Sequence, residues 1–593
     1  MSTQIRISQR IPLSCHNCSQ QKIRCDKRLP CSRCRTRGLA CRRQQVVRRS
    51  RDQELVASEA QPDLPHVSPA YVQSTDTVLQ SQNSITEPRG FSDDLATSIE
   101  GLAWGRRVHP RFHRGRQGIL PATSIPESLS RLLPSTARGK FLVRLHLHHL
   151  SWNHNVIHAP TFMAQCDMLF ETGDVEHLQW LALYFSVVSV SEWTLENGRH
   201  QPSEDEPIGH QSSSDYFDAM REVLHYTKFM EHPHVCAVQA VIVSGMIANV
   251  IGKSVLLQTM LHSCIRIAQT LGLHQVEDTG DINREVERRI WWNLVQLDYF
   301  GIPYTNSYSI ILRHSTTSMP SNSEDQTLEA GVTKSTFTIV MSRIALLLPD
   351  LLDGLCSSIP TKEKYTLVMD IDRRMRAVVR SIPSGLLRSQ SQNQSHGSEP
   401  PWIQLARRTL AISAADKILM IHRPFLLLSF RSPAYKFTKN TCIAAATTIL
   451  REHQNIIDEA ASSLSNYYPI WAHSAFCNAA VIVLGLYILF GKPSASTREQ
   501  HIGLMLAARQ RLLMQRSDQM AKKGVYLIDS MLEQQEGTEG RAVTPERIFE
   551  RFWALQSLDE DSGCVASDSV SSPIDASVAP QDFTDWFNDV FGY

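Results

Sequence analysis

The sequence predicts a small cysteine-rich head and a large all-α domain, with a disordered linker between them and an acidic tail. Six of the thirteen cysteines fall within 27 residues near the start. Helical periodicity dominates from residue 140 to about 556, without alternating strands or a Gly-rich strand–turn–helix unit. The 593 residues are 42% hydrophobic and 20% charged, which excludes collagen-like, disulfide-scaffold and wholly disordered proteins.

The first 51 residues carry a charge that the near-neutral total conceals. They hold 14 Arg and Lys against one acid, Asp26, so their net charge is +13. Because the whole chain sums to +1, the remaining 542 residues sum to −12. A basic head on an acidic body indicates a polyanionic partner for the head alone.

The clustered cysteines follow the spacing Cys-x2-Cys-x6-Cys-x5-Cys-x2-Cys-x6-Cys. Residues 1–14 lack an apolar run of secretory length, so we expect a reducing compartment, where packed cysteines bind metal. Thiolates in short Cys-x2-Cys turns suit tetrahedral zinc, and six ligands complete two tetrahedra only if two cysteines bridge both metals. A metallothionein-like store would not need the basic residues, and a redox Cys-x-x-Cys motif would need a βαβ context. We therefore predict two Zn²⁺ per chain in a binuclear cluster held by Cys15, Cys18, Cys25, Cys31, Cys34 and Cys41.

This segment resembles the fungal zinc binuclear-cluster (Zn₂Cys₆) transcription factors. The resemblance implies that Cys15 and Cys31 bridge the two metals and that the other four cysteines are terminal ligands. Pro30 matches the loop proline of the family. Each half is expected to be a short helix followed by an extended strand. The first half's helix is expected in the DNA major groove, over a triplet rich in G and C.

Basic residues interleave with the cysteines and predict contacts with double-stranded DNA: Lys22, Arg24, Lys27, Arg28, Arg33, Arg35 and Arg37. We assign Lys22 to a base edge and Arg24 to backbone or base, whereas the last three arginines contact phosphate only. Ser19 replaces a basic residue of the family's motif, which removes one expected phosphate contact. The alternative for these charges is a solvated basic face.

Residues 42–60 lack a sustained heptad series, although relatives often dimerise through a coiled coil there. A monomer and a homodimer through the helical body are therefore both open. The run Arg42, Arg43, Arg48, Arg49 and Arg51 predicts a nuclear import signal or a phosphate-contacting extension.

Residues 52–139 have linker composition, and residues 140–556 are predicted to form the all-α regulatory domain. Helices are predicted around residues 235–250, 257–271, 290–297 and 406–420, the last ending before Pro424. Residues 388–400 are a polar loop. The apolar run 475–491 is too short for a membrane span and is predicted to be a core helix, so no membrane partner is expected.

Four segments of this body resemble the family's middle-homology regulatory domain: residues 158–162, 267–274, 285–292 and 421–426. Glu285 lies one helical turn from Arg288 and Arg289 and can pair with them. Asp298 is followed by Tyr299 where the family has arginine, so a role for that charge does not carry over.

No catalytic motif supports an enzyme: Walker, GxSxG and dinucleotide-binding patterns are all missing from the sequence. His146, His148, His149, His154 and His158 have some metal-compatible spacings, but a polar or capping helix face is the favoured interpretation. An effector pocket between helices is plausible, although the sequence names no ligand.

The last segment, residues 557–593, holds eight acids and no Lys or Arg. Phe583, Trp586, Phe587 and Phe591 recur at helical spacing among them. This alternation is typical of activation segments that fold into coactivator grooves. The alternative is a helix that docks back on the body.

The sequence thus predicts a nuclear, zinc-dependent, DNA-binding transcription factor of the RNA polymerase II type, most simply an activator of a pathway or gene cluster. The alternative is a corepressor or heterodimer subunit that binds DNA weakly by itself.

Overall fold

A computed structural model of the chain describes residues 25–26, 31–37, 99–100, 103–104, 123–199, 207, 209–322, 332–387, 400–462 and 468–536. The chain divides into two compact units, residues 1–87 and 88–593. The described part of the first unit contains one short helix, α1 (Ser32–Thr36). The second unit is mostly helical, as predicted.

The second unit contains two short strands, β1 (Thr123–Ser124) and β2 (Asp174–Val175), and a long series of helices. These helices are α2 (Glu127–Ser130), α3 (Thr136–Leu145), α4 (Ala159–Thr172), α5 (Leu178–Asn197), α6 (Ser213–Tyr226), α7 (Val235–Ala248), α8 (Ser254–Thr270), α9 (Ile282–Thr305), α10 (Lys334–Ala345), α11 (Leu347–Cys356), α12 (Thr361–Arg380), α13 (Pro401–His422), α14 (Leu426–Arg431), α15 (Lys436–Ser462), α16 (Trp471–Phe490), α17 (Ala495–Leu513) and α18 (Gln519–Glu536).

The folded body begins earlier than the sequence predicted. β1 pairs antiparallel with β2, with Thr123 opposite Val175, and Leu129 on α2 is fully buried. Ser135 caps α3 by accepting the amide N–H of Arg138. The predicted linker 52–139 is therefore wrong at its C-terminal end, because residues 123–139 contribute a strand, two helices and core side chains. Earlier in the predicted linker, the amide of Trp104 donates to the carbonyl of Glu100 at 3.1 Å, and this bond closes one helical turn.

α5 lies at the centre of the first half of the body. Most of its residues are buried, including Trp180 and Trp193, and it packs against α3, α6 and α7. α7 is apolar on every side, which is typical of a helix surrounded by others, and it was predicted as residues 235–250. These helices form one apolar core with the second half of the body.

The other predicted helices lie where the periodicity placed them. The apolar stripe of α8, from Leu257 to Ala268, faces the core. α9 begins before residue 290 and continues through Pro303 to Thr305. α13 starts with Pro401 in its first turn and ends at His422, two residues before Pro424, because proline fits the first turn of a helix and disrupts its interior.

α16 contains the long apolar run. By length and composition it is the one helix among the described residues that could cross a membrane, and half of its most apolar window is buried. It packs against α13, α15, α17 and α18. Polar side chains lie inside this packing: Ser474 donates to Gln515 on the neighbouring chain segment, at 2.5 Å, and Asn478 donates to Met520 O at 2.8 Å. This is the packing of a core helix, as predicted.

Buried ion pairs join helices across the core. Arg138 on α3 donates to both carboxylate oxygens of Glu192 on α5, at 2.6 and 3.2 Å. On α9, a carboxylate oxygen of Glu285 lies 2.7 Å from the Arg288 guanidinium in an ion pair, and Glu285 accepts from Arg289 at 3.1 Å, so the predicted pairing is confirmed. Because the side chains of both networks are almost fully buried, the loss of one partner would leave a charge without compensation.

Candidate metal centre

The described part of the head is built around the N-terminus of α1. Cys31 precedes the helix in an extended conformation, and its thiol accepts the amide N–H of Cys34 at 3.4 Å. The amide of Arg35 donates to Cys31 O at 2.9 Å, which closes the first helical turn. Because this Cys-x2-Cys motif spans the first turn of α1, the thiols of Cys31 and Cys34 lie on the same side of that turn.

Three cysteines meet at this turn. Cys31 is fully buried, Cys34 is 2% exposed, and Cys25 packs against both. The Sγ atoms of Cys25 and Cys31 and a carboxylate oxygen of Asp26 all lie within 4.8 Å of one another. Two thiolates on one tetrahedral zinc, with Zn–S bonds of about 2.3 Å, are about 3.8 Å apart. Cys25 and Cys31 thus fit one zinc in donor type and in spacing, and Cys34 fits it in donor type.

Asp26 has a different role from its cysteine neighbours. Its Oδ2 accepts the amide N–H of Ser32 at 2.9 Å and also the Ser32 hydroxyl. The first amides of a helix have no partner within the helix, and negative charge there is favourable. Asp26 therefore ties the residues around Cys25 to the start of α1. The sequence identifies Asp26 as the single acid of the head, and its place six residues before Ser32 is the signal for this role.

The predicted phosphate contacts Arg33, Arg35 and Arg37 are all exposed. None of them has an acidic side chain within 4.0 Å among the described residues. Arg33 and Arg35 also lie in the last turn of α1, where positive charge stabilises the C-terminal carbonyls. One face of the short helix therefore carries buried thiols, while three uncompensated positive charges project to solvent.

Several predicted site residues lie outside the described residues. In the head these are Cys15, Cys18, Cys41, Lys22, Arg24, Lys27 and Arg28. In the tail they are Phe583, Trp586, Phe587 and Phe591.

The histidines of the body differ from the prediction. His146 and His154 are buried, and their Nε2 atoms lie 2.9 Å apart in one hydrogen bond. Burial lowers the pKa of His146 to about 3 and that of His154 well below its usual value, so both rings are neutral. The expected polar or capping face is wrong for these two, because a π-helical turn and a 3₁₀ turn between α3 and α4 fold the chain back on itself. Among the described residues, no third metal-ligating side chain joins this pair.

The head is similar to a known domain family. Residues 13–50 match the model of the fungal Zn(2)-Cys(6) binuclear cluster domain. The chain is similar to the agnestins biosynthesis cluster transcription factor AgnL11 of Paecilomyces divaricatus, at 22% identity over 83% of this chain and 81% of the relative. Residues 13–50 therefore match a fungal Zn₂Cys₆ cluster domain, and the chain is similar over most of its length to a fungal transcription factor.

Two further relatives extend the likeness into the body. The probable transcription factor lepB of Aspergillus flavus is 22% identical over 64% of this chain and 74% of its own length. The Zn(2)-C6 fungal-type transcription factor mpsB of Macrophomina phaseolina is 24% identical over 68% of this chain and 56% of its own. These relatives are named as transcription factors, in agreement with the prediction that the chain is not an enzyme.

Proposed function

We propose that this Zn₂Cys₆ protein is a nuclear activator of one biosynthetic gene cluster, and that it binds G/C-rich triplets through its head. In this proposal residues 1–51 bind DNA, the helical body regulates that activity, and residues 557–593 recruit coactivators. The name of the agnestins regulator supports the assignment to a gene cluster, since that relative aligns with most of this chain.

The observation that carries the proposal is the two-sided character of α1. Cys31 and Cys34 are buried against Cys25, and Arg33, Arg35 and Arg37 project outward. Arginines without acidic partners supply the sequence-independent phosphate part of DNA binding. Thiols packed at one turn hold the metal that fixes the helix in place.

In this proposal, the cysteines of the head bind zinc and its basic residues bind DNA. Cys25, Cys31 and Cys34, together with Cys15, Cys18 and Cys41, would hold the zinc. Zinc, when bound, supplies the bonds that a core would supply in a larger domain. Arg33, Arg35 and Arg37 orient the head on the backbone, and Lys22 donates to a guanine edge, the commonest base contact of lysine and arginine.

Selection from a random duplex DNA pool tests the proposal. The full chain, loaded with zinc, should enrich a G/C-rich triplet, and the enrichment should vanish with a chelator or in the Cys31→Ser variant. Cys356→Ser is the matched control, because Cys356 is exposed at the end of α11, in the second unit of the chain. Failure of the zinc-loaded chain to enrich any sequence would favour the corepressor or heterodimer-subunit alternative.

Two variants separate base contact from phosphate contact. Lys22→Ala should lose sequence preference and keep weak, salt-sensitive binding. Arg35→Ala should weaken binding to all sequences alike and reduce the salt dependence by about one ion. Unchanged sequence preference in Lys22→Ala would refute the base contact.

A reporter assay tests activation. Deletion of residues 580–593 should abolish activation and leave DNA binding intact. Full activation by the truncated protein would remove the tail from the proposal.

A further inference from the structure

A pocket of about 210 Å³ lies among α8, the turn that follows it, α9 and the segment 309–315. Two of the segments singled out in the sequence contribute to it: His274 ends one of them and Trp291 belongs to the other. Drug-sized ligands occupy pockets of about 300–1,000 Å³, so this one suits a smaller molecule.

One wall of the pocket is fixed by the C-terminal half of α9. The buried carboxylate of Asp298 accepts the amide N–H groups of Ser309 and Ile310, at 2.9 and 2.7 Å. The hydroxyl of Tyr299 donates to Ile310 O at 2.9 Å. These bonds hold the start of the segment 309–315 in one position, and Asp298 itself does not line the pocket.

The other end of that segment is tied to the turn after α8. The carbonyl of His274 accepts from the Ser315 hydroxyl at 2.8 Å and from the Thr316 amide at 2.9 Å. Gly272 makes this turn possible through its left-handed conformation, with φ at +79°. The His274 ring also contacts Trp291, with 5.8 Å between ring centroids. The walls are therefore preorganised by hydrogen bonds at both ends.

The polar side chains of the pocket carry several hydrogen-bond donors, although the Ser315 hydroxyl already donates to His274 O. Arg266 donates to the amide oxygen of Gln269 at 3.2 Å, which leaves the Gln269 amide nitrogen as a donor. No acidic side chain lies within 4.0 Å of Arg266 among the described residues. His274, His314, Ser309 and Ser315 complete the polar lining, which contains no carboxylate among the described residues.

We propose that this pocket binds a small oxyanion, a carboxylate- or phosphate-bearing metabolite, with Arg266 as its main charged partner. The planar fork of arginine matches the geometry of both groups, and the surrounding donors complete their shell. The rings of Trp291 and His274, tilted 50° to each other, line the pocket beside the anion. The site lies in the helical body, and its test is independent of DNA recognition by the head.

Calorimetric titration of the full, zinc-loaded chain tests the site with inorganic phosphate, succinate and citrate. Succinamide, which has nearly the same shape as succinate without its charge, is the neutral control. At least one oxyanion should bind at millimolar or lower concentration, and succinamide should not. No heat of binding from any of the three anions would overturn the proposal.

Charge-removing variants locate the binding. Arg266→Gln should weaken anion binding by about tenfold or more, as expected when a charged hydrogen-bond donor is lost. Arg313→Gln is the matched control, since Arg313 is exposed on the same segment and does not line the pocket. His314→Ala gives a second, independent removal of a donor. Equal weakening by Arg266→Gln and Arg313→Gln would show nonspecific attraction and overturn the assignment, as would unchanged affinity in Arg266→Gln.

Discussion

The head and the helical body of this protein achieve a defined structure by different physical means. In the described part of the head, the buried apolar cluster consists of Cys31 and Cys34, with Cys25 packed against them. The body buries one continuous core that runs from Leu129 on α2 to Met531 on α18. Metal–thiolate bonds therefore replace apolar burial in the head, whereas the body has core enough of its own.

Arginine has opposite roles in the two regions. In the head, Arg33, Arg35 and Arg37 are exposed and have no acidic partner among the described residues. In the body, arginines such as Arg138 and Arg289 are buried and paired with carboxylates. A charge that is already neutralised inside a core cannot contribute to DNA binding. The proposed function accordingly assigns the phosphate contacts to the exposed arginines of the head.

Zinc removal should give the largest difference in stability between the head and the body. The free energy of zinc binding in small zinc domains is about 10–16 kcal/mol, and it is also their folding free energy. A chelator should therefore unfold the head and abolish DNA binding, while the thermal transition of the body stays unchanged. Circular dichroism and calorimetry with and without chelator measure both. Loss of the body's transition together with zinc would show that the two regions fold as one.

A core truncation in the body should give the reverse pattern. Trp152 is fully buried, packs edge-on against Phe337 with 4.9 Å between ring centroids, and donates to His149 O. Trp152→Ala should destabilise the body by about 3–5 kcal/mol and leave the zinc content unchanged. Trp104→Ala is the matched control, because Trp104 is 70% exposed and its loss should cost within about 0.5 kcal/mol. Urea unfolding measures both variants, and equal losses would contradict the assigned core.

Glu285→Gln tests the buried charge network, and its expected loss of stability is smaller. Glu285 forms an ion pair with Arg288, and its Oε1 accepts from Arg289 and from the Ser321 amide, both at 3.1 Å. Removing its charge leaves the buried Arg289 without a carboxylate partner and Arg288 with Asp278 alone, so we expect a loss of about 3 kcal/mol in urea unfolding.

The same helix offers the matched control for that variant. Glu287 pairs with Arg284 at 2.6 Å in a more exposed setting, so Glu287→Gln should lose at most about 1 kcal/mol. A difference of less than about 1 kcal/mol between the two variants would show that the buried network adds little.

Sequence alone predicted those features whose cause is local. Cysteine spacing indicated the metal site, and the period of apolar residues indicated α7, α8 and α13, because both patterns lie within one turn or one helix. Glu285 and its arginines were predictable for the same reason, since they lie three and four residues apart.

The features that were missed depend on distant partners. The start of the body at β1 requires Asp174 and Val175, which lie some fifty residues further along the chain. The His146–His154 pair requires two irregular helical turns that no periodicity indicates. The pocket combines α8, α9 and the segment 309–315, and its shape follows from the side chains of Asp298 and Tyr299.

The smallest predicted effect is a pH dependence confined to the body. His177 caps α5 by accepting the Gln179 amide at 3.2 Å, and its ring stacks on His234 with 3.9 Å between centroids. Burial lowers the pKa of His177 below its ordinary value of 6.5, so the folded state binds a proton less readily than the unfolded state. Its contribution to stability is therefore complete above pH 6.5 and is lost as the pH falls below that value.

His177→Asn sharpens this last test, because asparagine caps helices well and does not titrate. The variant should lose less stability on acidification than the unmodified protein, measured by urea unfolding on either side of pH 6.5. His210→Asn is the matched control, since His210 is exposed ahead of α6 and its replacement should leave the pH profile unchanged.

Zinc ligation in the head also weakens on acidification, because its thiolates take up protons. Unfolding must therefore be followed through a probe in the body, and an identical pH profile in His177→Asn and the unmodified protein would show that the cap does not titrate.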